Sequence, residues 1–150
     1  MVVFNIRREK YANELLASGL SNRWNKEEEF VIYTGGSIAL ATLELVAHRS
    51  GINVVLPYKL LRINIEASES DITVIQLDAL PRNWKSIACY PQLQEIGSEW
   101  YRTLRSLVLR VPSSLVQWEH NYLINTRHPE FSRKVSIISV EDFEWDSRLF

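Results

Sequence analysis

The chain has 150 residues, of which 46% are hydrophobic and 23% are charged, and its formal net charge is -1 at pH 7. These values are typical of a soluble globular protein, and we expect a single domain over residues 1–150. A net charge so close to zero provides no general attraction to nucleic acid or to an anionic membrane. We therefore expect neither nucleic acid nor a membrane as a partner.

The sequence has no feature of a secreted or membrane protein. No apolar run approaches the roughly 20 residues that a membrane-spanning helix needs. The charges near the amino terminus follow a short apolar run instead of preceding it, unlike those of a signal peptide. Cys89 is the only cysteine, so no intramolecular disulfide forms and a cytoplasmic location is favoured. We expect Cys89 to be inert, because no base lies near it in sequence.

Segments with a strand pattern outnumber segments with a helix pattern. Runs of β-branched and aromatic residues predict strands at 2–6, 30–34, 54–66 with an interruption at Pro57, 71–77, 106–111 and 134–140. Apolar residues at helical spacing predict helices at 8–17, 37–49 and 92–103. We expect residues 113–131 to form a long irregular segment. Few, scattered helices predict an α+β fold, not the regular alternation of a doubly wound sheet.

One acid, Glu44, interrupts the apolar run 38–47 of the predicted helix that follows Ser37. A carboxylate on a buried helix face is costly unless it is paired or faces a polar cleft. Arg23 is a nearby candidate partner, so the two residues form either a structural ion pair or part of a functional site. His48 lies one helical turn after Glu44 on the same face, where it accepts a hydrogen bond or tunes the acid.

Several chemistries have no motif in this sequence. It contains no phosphate-binding loop, no glycine-rich dinucleotide fingerprint and no zinc-ligand spacing, so we expect neither a metal nor a resident cofactor. Ser113 and Ser114 lack the sequence pattern that surrounds a nucleophilic serine. A paired-carboxylate glycosidase needs two acids beside the scissile bond, and Glu119 is the candidate for the second.

A single carboxylate suffices when the leaving group departs without a proton, as nicotinamide does from NAD. A carboxylate stabilises the ribosyl cation that forms, an arginine binds the pyrophosphate and an aromatic ring stacks on nicotinamide. Glu44, Arg23 and Tyr33 supply these three functions. The residue types alone suit other anionic substrates equally well.

Short motifs follow one another along nearly the whole chain: R-W-N at 23–25, V-I-Y-T at 31–34, A-L-A-T-L-E-L-V-A-H at 39–48, I-G-S-E-W at 96–100, L-V-L-R-V-P-S at 107–113, E-H-N-Y-L-I-N at 119–125, H-P-E-F at 128–131 and F-E-W-D-S-R-L at 143–149. In this order they closely resemble the RES-domain toxins of bacterial toxin–antitoxin modules. The family name refers to Arg, Glu and Ser residues, which match Arg23, Glu44 and Ser113.

The resemblance implies an ADP-ribosyltransferase-like mixed β core and a cytoplasmic enzyme that degrades NAD+ and arrests growth. NAD+ is then a substrate, not a cofactor, and its nicotinamide–ribose bond is cleaved by hydrolysis or phosphorolysis. The resemblance also implies a partner, an antitoxin of the helix-turn-helix (Xre) type. It allows a homodimer or a larger toxin–antitoxin assembly.

The resemblance also implies roles for individual residues. In the catalytic group, Arg23 binds phosphate or ribose, Tyr33 contacts the nicotinamide side and Glu44 stabilises the ribosyl cation. The substrate-binding group holds the substrate or shapes the pocket, and it comprises Ser113, Asn121, Asn125, His48 and Trp24.

The chain departs from the family pattern near its amino terminus. Many relatives have Tyr-Arg-Ile where this sequence has Phe4-Asn5-Ile6, so an arginine that lines the site in those relatives is absent. Arg7 or Arg8 replaces it only after a register shift that reverses the side-chain face of a strand. The missing arginine favours one alternative, a non-catalytic member that binds nucleotide or its partner protein. A second alternative, transfer of ADP-ribose to a macromolecule, stays open because the same three residues would serve it.

Overall fold

The computed structural model describes residues 1–48 and 52–150, and these form one mixed sheet of seven strands with three α-helices. The strands are β1 (Val2–Arg8), β2 (Val31–Gly35), β3 (Tyr58–Ile65), β4 (Ile72–Val74), β5 (Val108–Pro112), β6 (His120–Asn125) and β7 (Val135–Phe143). The helices are α1 (Ile38–Ala47), α2 (Tyr90–Thr103) and α3 (Phe131–Lys134). This architecture confirms the α+β fold predicted from the sequence.

The strand order is β4-β5-β6-β2-β1-β3-β7. Only β4 and β5 run parallel, and the other neighbours are antiparallel. The two central strands, β1 and β2, pair only at Phe4 and Gly35, whereas β1 pairs with β3 along its whole length. Beyond that single pair, the Asn5 side chain joins the two strands by donating from Nδ2 to the Tyr33 carbonyl at 2.8 Å. The sheet therefore opens between β1 and β2.

Helix α1 lies close to this opening because small residues before and in its first turn let it pack against β2. The Ser37 hydroxyl caps the helix by accepting a hydrogen bond from the Leu40 backbone N–H at 3.1 Å. A Cβ atom on Gly35 would lie 2.8 Å from the Ala41 nitrogen, so only glycine lets the first turn pack on β2. Leu40 and Ala41 are buried in this contact. The helix ends at Ala47, and the predicted end at residue 49 lies outside the described residues.

Three hydrophobic clusters hold the sheet and helices together. The first packs around Leu61, Ile63, Ile65 and Ile124 on one face of the sheet. The second joins α2 to the sheet through Trp24, Trp84, Leu93 and Trp100. The third lies under α1 and contains Ile6, Ala41, Tyr58 and Leu60, with Leu45, Phe143 and Trp145 packed against it. The side of α1 that carries Leu45 is thus anchored in a core.

Two of the secondary-structure predictions are wrong. Residues 8–17 do not form an α-helix: only a short 3-10 turn at Glu9–Tyr11 is present, because Arg7 Nη1 donates to the backbone carbonyls of Tyr11, Glu14 and Leu16 and holds them in an irregular path. Residues 113–131 are not irregular throughout, since they contain β6, which pairs with both β2 and β5. No helix in residues 1–48 and 52–150 has the length and apolar character needed to span a membrane.

Candidate active site

Glu44 projects from the second turn of α1 into the opening between β1 and β2. Its Oε1 accepts hydrogen bonds from Ser113 Oγ at 2.8 Å and from Asn121 Nδ2 at 2.6 Å. Ser113 directly follows β5 and Asn121 lies on β6, so three elements converge on one carboxylate oxygen. Within the described residues, Glu44 Oε2 receives no hydrogen bond and the carboxylate forms no ion pair. The structural ion pair between Arg23 and Glu44 is therefore not formed.

Asn121 has one satisfied and one unsatisfied polar atom. Its amide orientation is determined by Glu44, because Oδ1 in place of Nδ2 would put two acceptors against each other. Asn121 Oδ1 is buried and has no hydrogen-bond partner among residues 1–48 and 52–150. A buried acceptor in this state is costly, so a ligand with a hydrogen-bond donor would be stabilised beside Glu44.

A cavity of about 150 Å³ lies in front of these residues. It is smaller than the 300–1,000 Å³ pockets that enclose drug-sized ligands, so it suits one ring-sized group. Its lining residues are Phe4, Asn5, Ile6, Asn22, Tyr33, Thr34, Gly35, Ala41, Glu44, Leu45, His48 and Asn121. An adjoining recess of about 30 Å³ shares five of these residues and adds Arg23, Trp24, Pro112 and Ser114.

Tyr33 lines the cavity with its ring while its hydroxyl holds the neighbouring turn. The hydroxyl donates to Asn25 Oδ1 at 2.6 Å and accepts from the Trp24 backbone N–H at 3.2 Å. Burial raises the pKa of the Tyr33 phenol well above its usual value, so the ring stays neutral. Tyr33 is therefore a neutral aromatic surface and an anchor for the turn at residues 22–25.

Arg23 lies in this turn, which is closed by a bridge between Asn22 and Asn25. Its Nη1 donates to the carbonyls of Trp84 and Lys85 at 3.3 and 3.0 Å, and its guanidinium lies 4.8 Å from the centre of the Tyr90 ring. These partners are neutral, and no carboxylate of the described residues forms an ion pair with Arg23. Its charge is thus available to an anionic ligand.

Trp24 and His48 occupy different positions around the recess. Trp24 is buried and packs on Trp84, with ring centres 6.4 Å apart. A Cβ atom on Gly97 would lie 1.6 Å from the Trp24 carbonyl oxygen, so α2 presses directly on the backbone that follows Arg23. His48 is exposed, caps the end of α1 and lines both the cavity and the recess.

Two of the expected substrate-binding residues line neither the cavity nor the recess. Ser113 is fully buried, and its Oγ also accepts hydrogen bonds from the backbone N–H groups of Leu115 and Val116, so it acts on Glu44. Asn125 lies at the far end of β6, where Nδ2 donates to the Tyr101 carbonyl and Oδ1 accepts from the Arg127 N–H. The structure does not bring Asn125 to the other candidate residues.

Asn5, at the position where the family resemblance led us to expect arginine, lines the cavity. Arg7 Nε donates to Asn5 Oδ1 at 2.6 Å, because residues two apart on a strand share a face. The expectation that Arg7 needs a register shift to reach this face is therefore wrong. Asn22 also lines the cavity, and sequence reasoning missed it; its place beside Arg23 was the available signal.

Glu119 and Cys89 belong to other parts of the molecule. Glu119 Oε1 accepts a hydrogen bond from Ser37 Oγ at 3.2 Å, and Glu119 lines neither the cavity nor the recess. Cys89 is buried and its thiol lies 3.2 Å from Asn83 Oδ1. No three or more His, Cys, Asp or Glu side chains of the described chain are grouped to hold a metal ion.

Comparison with known proteins places this geometry in a family. The RES domain model matches residues 3–146. The chain is 35% identical over 133 residues to the protein named Toxin Res of Yersinia enterocolitica, covering 89% of this chain and 86% of that protein. It is 28% identical over 144 residues to the Prs ADP-ribosylating toxin of Sphingobium sp., covering 92% and 88%.

The fold also matches a solved structure, the MbcT–MbcA toxin–antitoxin complex of M. tuberculosis. The TM-score is 0.75 at 12% sequence identity, over 95% of this chain and 84% of the matched chain. That likeness concerns the fold alone. The family model and the Yersinia relative cover most of the chain, and they confirm the resemblance seen in the sequence motifs: the chain belongs to the RES-domain family.

Proposed function

We propose that this chain is the toxin of a toxin–antitoxin module and that it cleaves the nicotinamide–ribose bond of NAD+. The observation that carries the proposal is the carboxylate of Glu44, whose Oε1 is held by Ser113 and Asn121 while Oε2 receives no hydrogen bond from the described residues. A fixed negative charge beside a ring-sized cavity is suited to stabilising a ribosyl cation.

The proposed reaction needs no general acid. When the C1′–N bond breaks, its electron pair neutralises the pyridinium, and nicotinamide leaves as a neutral molecule. The positive charge passes to the ribose, where Glu44 stabilises it and accepts a hydrogen bond from a ribose hydroxyl. Water then bonds to C1′ and releases a proton, which yields ADP-ribose; inorganic phosphate instead yields the phosphorylated product.

The surrounding residues bind and orient the substrate. The Tyr33 ring offers a neutral surface for stacking on nicotinamide. Arg23 binds the pyrophosphate or ribose from the recess, since its present partners are neutral. His48 and Trp24 border the same recess, and Asn121 Oδ1 accepts a hydrogen bond from the substrate. No metal or resident cofactor takes part.

A second candidate is transfer of ADP-ribose to a macromolecule. The printed name of the Sphingobium relative, an ADP-ribosylating toxin, favours it. The same bond is broken in that reaction, but an acceptor group on the target replaces water. A third interpretation is a non-catalytic member of the family. It is favoured by Asn5, which stands where the family resemblance led us to expect an arginine. Arg7 counters it, because its charge lies directly behind Asn5.

The proposed partner is an antitoxin of the helix-turn-helix type, and the proposed location is the cytoplasm. Relatives and the matched fold are named as toxins or as part of a toxin–antitoxin complex. The antitoxin suppresses the activity until it is removed. A homodimer or larger toxin–antitoxin assembly is compatible with this proposal.

The test is to incubate the purified chain, without antitoxin, with NAD+ in the presence and absence of inorganic phosphate. Chromatography follows nicotinamide, ADP-ribose and phosphorylated ADP-ribose. We expect nicotinamide release that is lost in Glu44→Gln while circular dichroism shows retained folding. No release by the wild-type chain under either condition would refute the proposal. Transfer of labelled ADP-ribose to protein or nucleic acid would favour the second candidate.

A further inference from the structure

A large open groove lies at the edge of the sheet formed by β3 and β7. It has a volume of about 750 Å³ and is lined by residues of the segments 54–58 and 142–150. We call it the carboxy-terminal groove. It shares no lining residue with the catalytic cavity, so the reaction proposed above does not explain it.

The floor of the carboxy-terminal groove is aromatic. Trp145 makes edge-to-face contacts with Tyr58, Phe143 and Phe150, at ring-centre distances of 5.5, 5.0 and 5.5 Å. The Trp145 Nε1 atom is buried and has no hydrogen-bond partner within the described part of the chain. A buried tryptophan N–H normally finds an acceptor, so an acceptor delivered by an occupant would be stabilised here.

One wall of the groove is an ordered turn of exposed aliphatic residues. Val54, Val55 and Leu56 are 50%, 87% and 39% exposed. Asn53 orders the turn: its Oδ1 accepts from the Val55 N–H, and its own N–H donates to the Tyr58 hydroxyl of the floor. Consecutive exposed aliphatic side chains held in place beside an aromatic floor are typical of a surface that a partner protein covers.

The charges at the groove favour a basic occupant. Asp142 and Glu144 line it, and no Lys or Arg of the described residues does. Asp142 is already paired with Lys59, so Glu144 is the carboxylate that can attract a basic occupant. The Trp145 Nε1–H group lacks an acceptor within the described residues. A helix uses its backbone carbonyls in its own hydrogen bonds, whereas an extended segment leaves them free to accept from such a group. The groove therefore fits an extended peptide segment with apolar side chains and flanking Lys or Arg.

We propose that the carboxy-terminal groove binds such a segment of the antitoxin. This inference rests on the proposed function only for the identity of the partner. Phe143 and Trp145 pack against the same hydrophobic cluster as Ala41 and Leu45 of α1, so the bound segment lies behind the helix that carries Glu44. It adds affinity to the complex without entering the catalytic cavity.

The test measures binding of the purified helix-turn-helix protein encoded beside this chain, by calorimetry, with the chain carrying Glu44→Gln to suppress activity. Val55→Asp places a charge on the exposed wall, and Glu144→Lys reverses a rim charge. We expect each to weaken binding at least tenfold. Ile138→Asp is the matched control, since Ile138 is an exposed aliphatic residue of β7 outside the groove; we expect less than a twofold change.

A second measurement reports on the groove itself. The indole N–H resonance of Trp145, assigned by its loss in Trp145→Phe, should shift when the antitoxin is added. Unchanged affinity in Val55→Asp together with an unmoved resonance would overturn the proposal. So would self-association of the chain that Val55→Asp abolishes without affecting antitoxin binding, because a second copy would then cover the groove. Nicotinamide release by the chain alone decides the proposed function separately.

Discussion

Asn121 donates a hydrogen bond to Glu44 Oε1 at 2.6 Å while its own Oδ1 stays buried and unpartnered among residues 1–48 and 52–150. The pair thus combines a positioned carboxylate with an acceptor that lacks a donor. Adjacent hydroxyls of one ribose would satisfy Glu44 Oε2 and Asn121 Oδ1 together. Such a ligand would remove the cost of the buried acceptor only when it is bound.

Replacing Asn121 should therefore weaken catalysis. A hydrogen bond to a charged group contributes about 1.5–3 kcal/mol, so we expect Asn121→Ala to lower kcat/KM for nicotinamide release by roughly 10- to 100-fold. Asn121→Asp replaces the donor with a second carboxylate beside Glu44, and repulsion between the two like charges should lower kcat/KM at least as much. Asn125→Ala is the comparison: it should lower thermal stability and leave kcat/KM unchanged. Wild-type kcat/KM in Asn121→Ala would contradict the assignment.

Ser113 and Ser114 offer a test between neighbouring hydroxyls. Ser113 Oγ bonds Glu44, whereas Ser114 only lines the recess. We expect Ser113→Ala to lower kcat by roughly 10- to 100-fold, because a hydrogen bond to a charged group contributes about 1.5–3 kcal/mol, with a smaller change in KM. Ser114→Ala should change both constants less than twofold. Steady-state kinetics of nicotinamide release measure the difference, and equal effects of the two variants would show that Ser113 does not act through Glu44.

Tyr33→Phe removes the hydroxyl that holds Trp24 and Asn25 and leaves the Trp24 N–H unpaired. We expect a loss of about 1–3 kcal/mol in the free energy of unfolding, measured by urea denaturation. KM for NAD+ should rise because the turn that carries Arg23 is loosened. Tyr11→Phe, at an exposed tyrosine, is the control and should change neither quantity. Wild-type stability in Tyr33→Phe would argue against this anchoring role.

Gly97→Ala should destabilise the protein. The added Cβ would lie 1.6 Å from the Trp24 carbonyl oxygen, so backbone must move. Overpacking of this kind costs about 1–3 kcal/mol, and we expect the upper end of that range together with a raised KM, because Trp24 follows Arg23. Gln92→Ala, an exposed site on the same helix, should leave the melting temperature within 1–2 °C, or about 0.5 kcal/mol. An unchanged melting temperature in Gly97→Ala would refute the close approach.

Asp71 should make the free energy of unfolding depend on pH at acidic pH. The hydrogen bond from Lys134 lowers the pKa of Asp71 from 3.8 to about 2, so the folded state binds this proton less readily than the unfolded state. The resulting stabilisation is complete above about pH 4 and is lost as the pH falls towards 2. Urea denaturation between these values should show a smaller acid-dependent loss for Asp71→Asn than for wild type. Asp78→Asn, at an exposed site, should behave as wild type.

Local patterns predicted most of the elements. Helix α1 was recognisable because Ser37 caps an apolar run, and α2 because Leu93, Ile96 and Trp100 recur at helical spacing. Strand β6 was missed because its polar residues hide the alternation that marks a strand; Asn121 serves the candidate site and Asn125 a loop. The helix predicted at 8–17 does not form because the backbone carbonyls of this segment accept hydrogen bonds from Arg7, which lies outside it.

The candidate site was predictable in its residues and not in its contacts. The unusual position of Glu44 and the ordered family motifs singled out Arg23, Tyr33, Glu44 and Asn121. The contacts between these residues differ from the expected ones. Arg23 donates hydrogen bonds to two carbonyls distant in sequence and does not contact Glu44 through an ion pair. Ser113 donates a hydrogen bond to the Glu44 carboxylate from a fully buried position. These contacts join residues far apart in sequence, so no local pattern encodes them.

The sequence by itself determined the α+β class and the RES-domain family. It also showed one acid, Glu44, on an apolar helix, where a carboxylate is costly unless it has a polar partner. Only the tertiary structure decided what surrounds that acid. Antiparallel pairing brings Asn121 of β6 beside α1, the opening between β1 and β2 creates the cavity, and both hydrogen bonds fall on Glu44 Oε1. The charge of Glu44 and its place in an apolar run imply that the carboxylate needs hydrogen-bond or ionic partners. Packing between strands that are distant in sequence determines which residues those partners are.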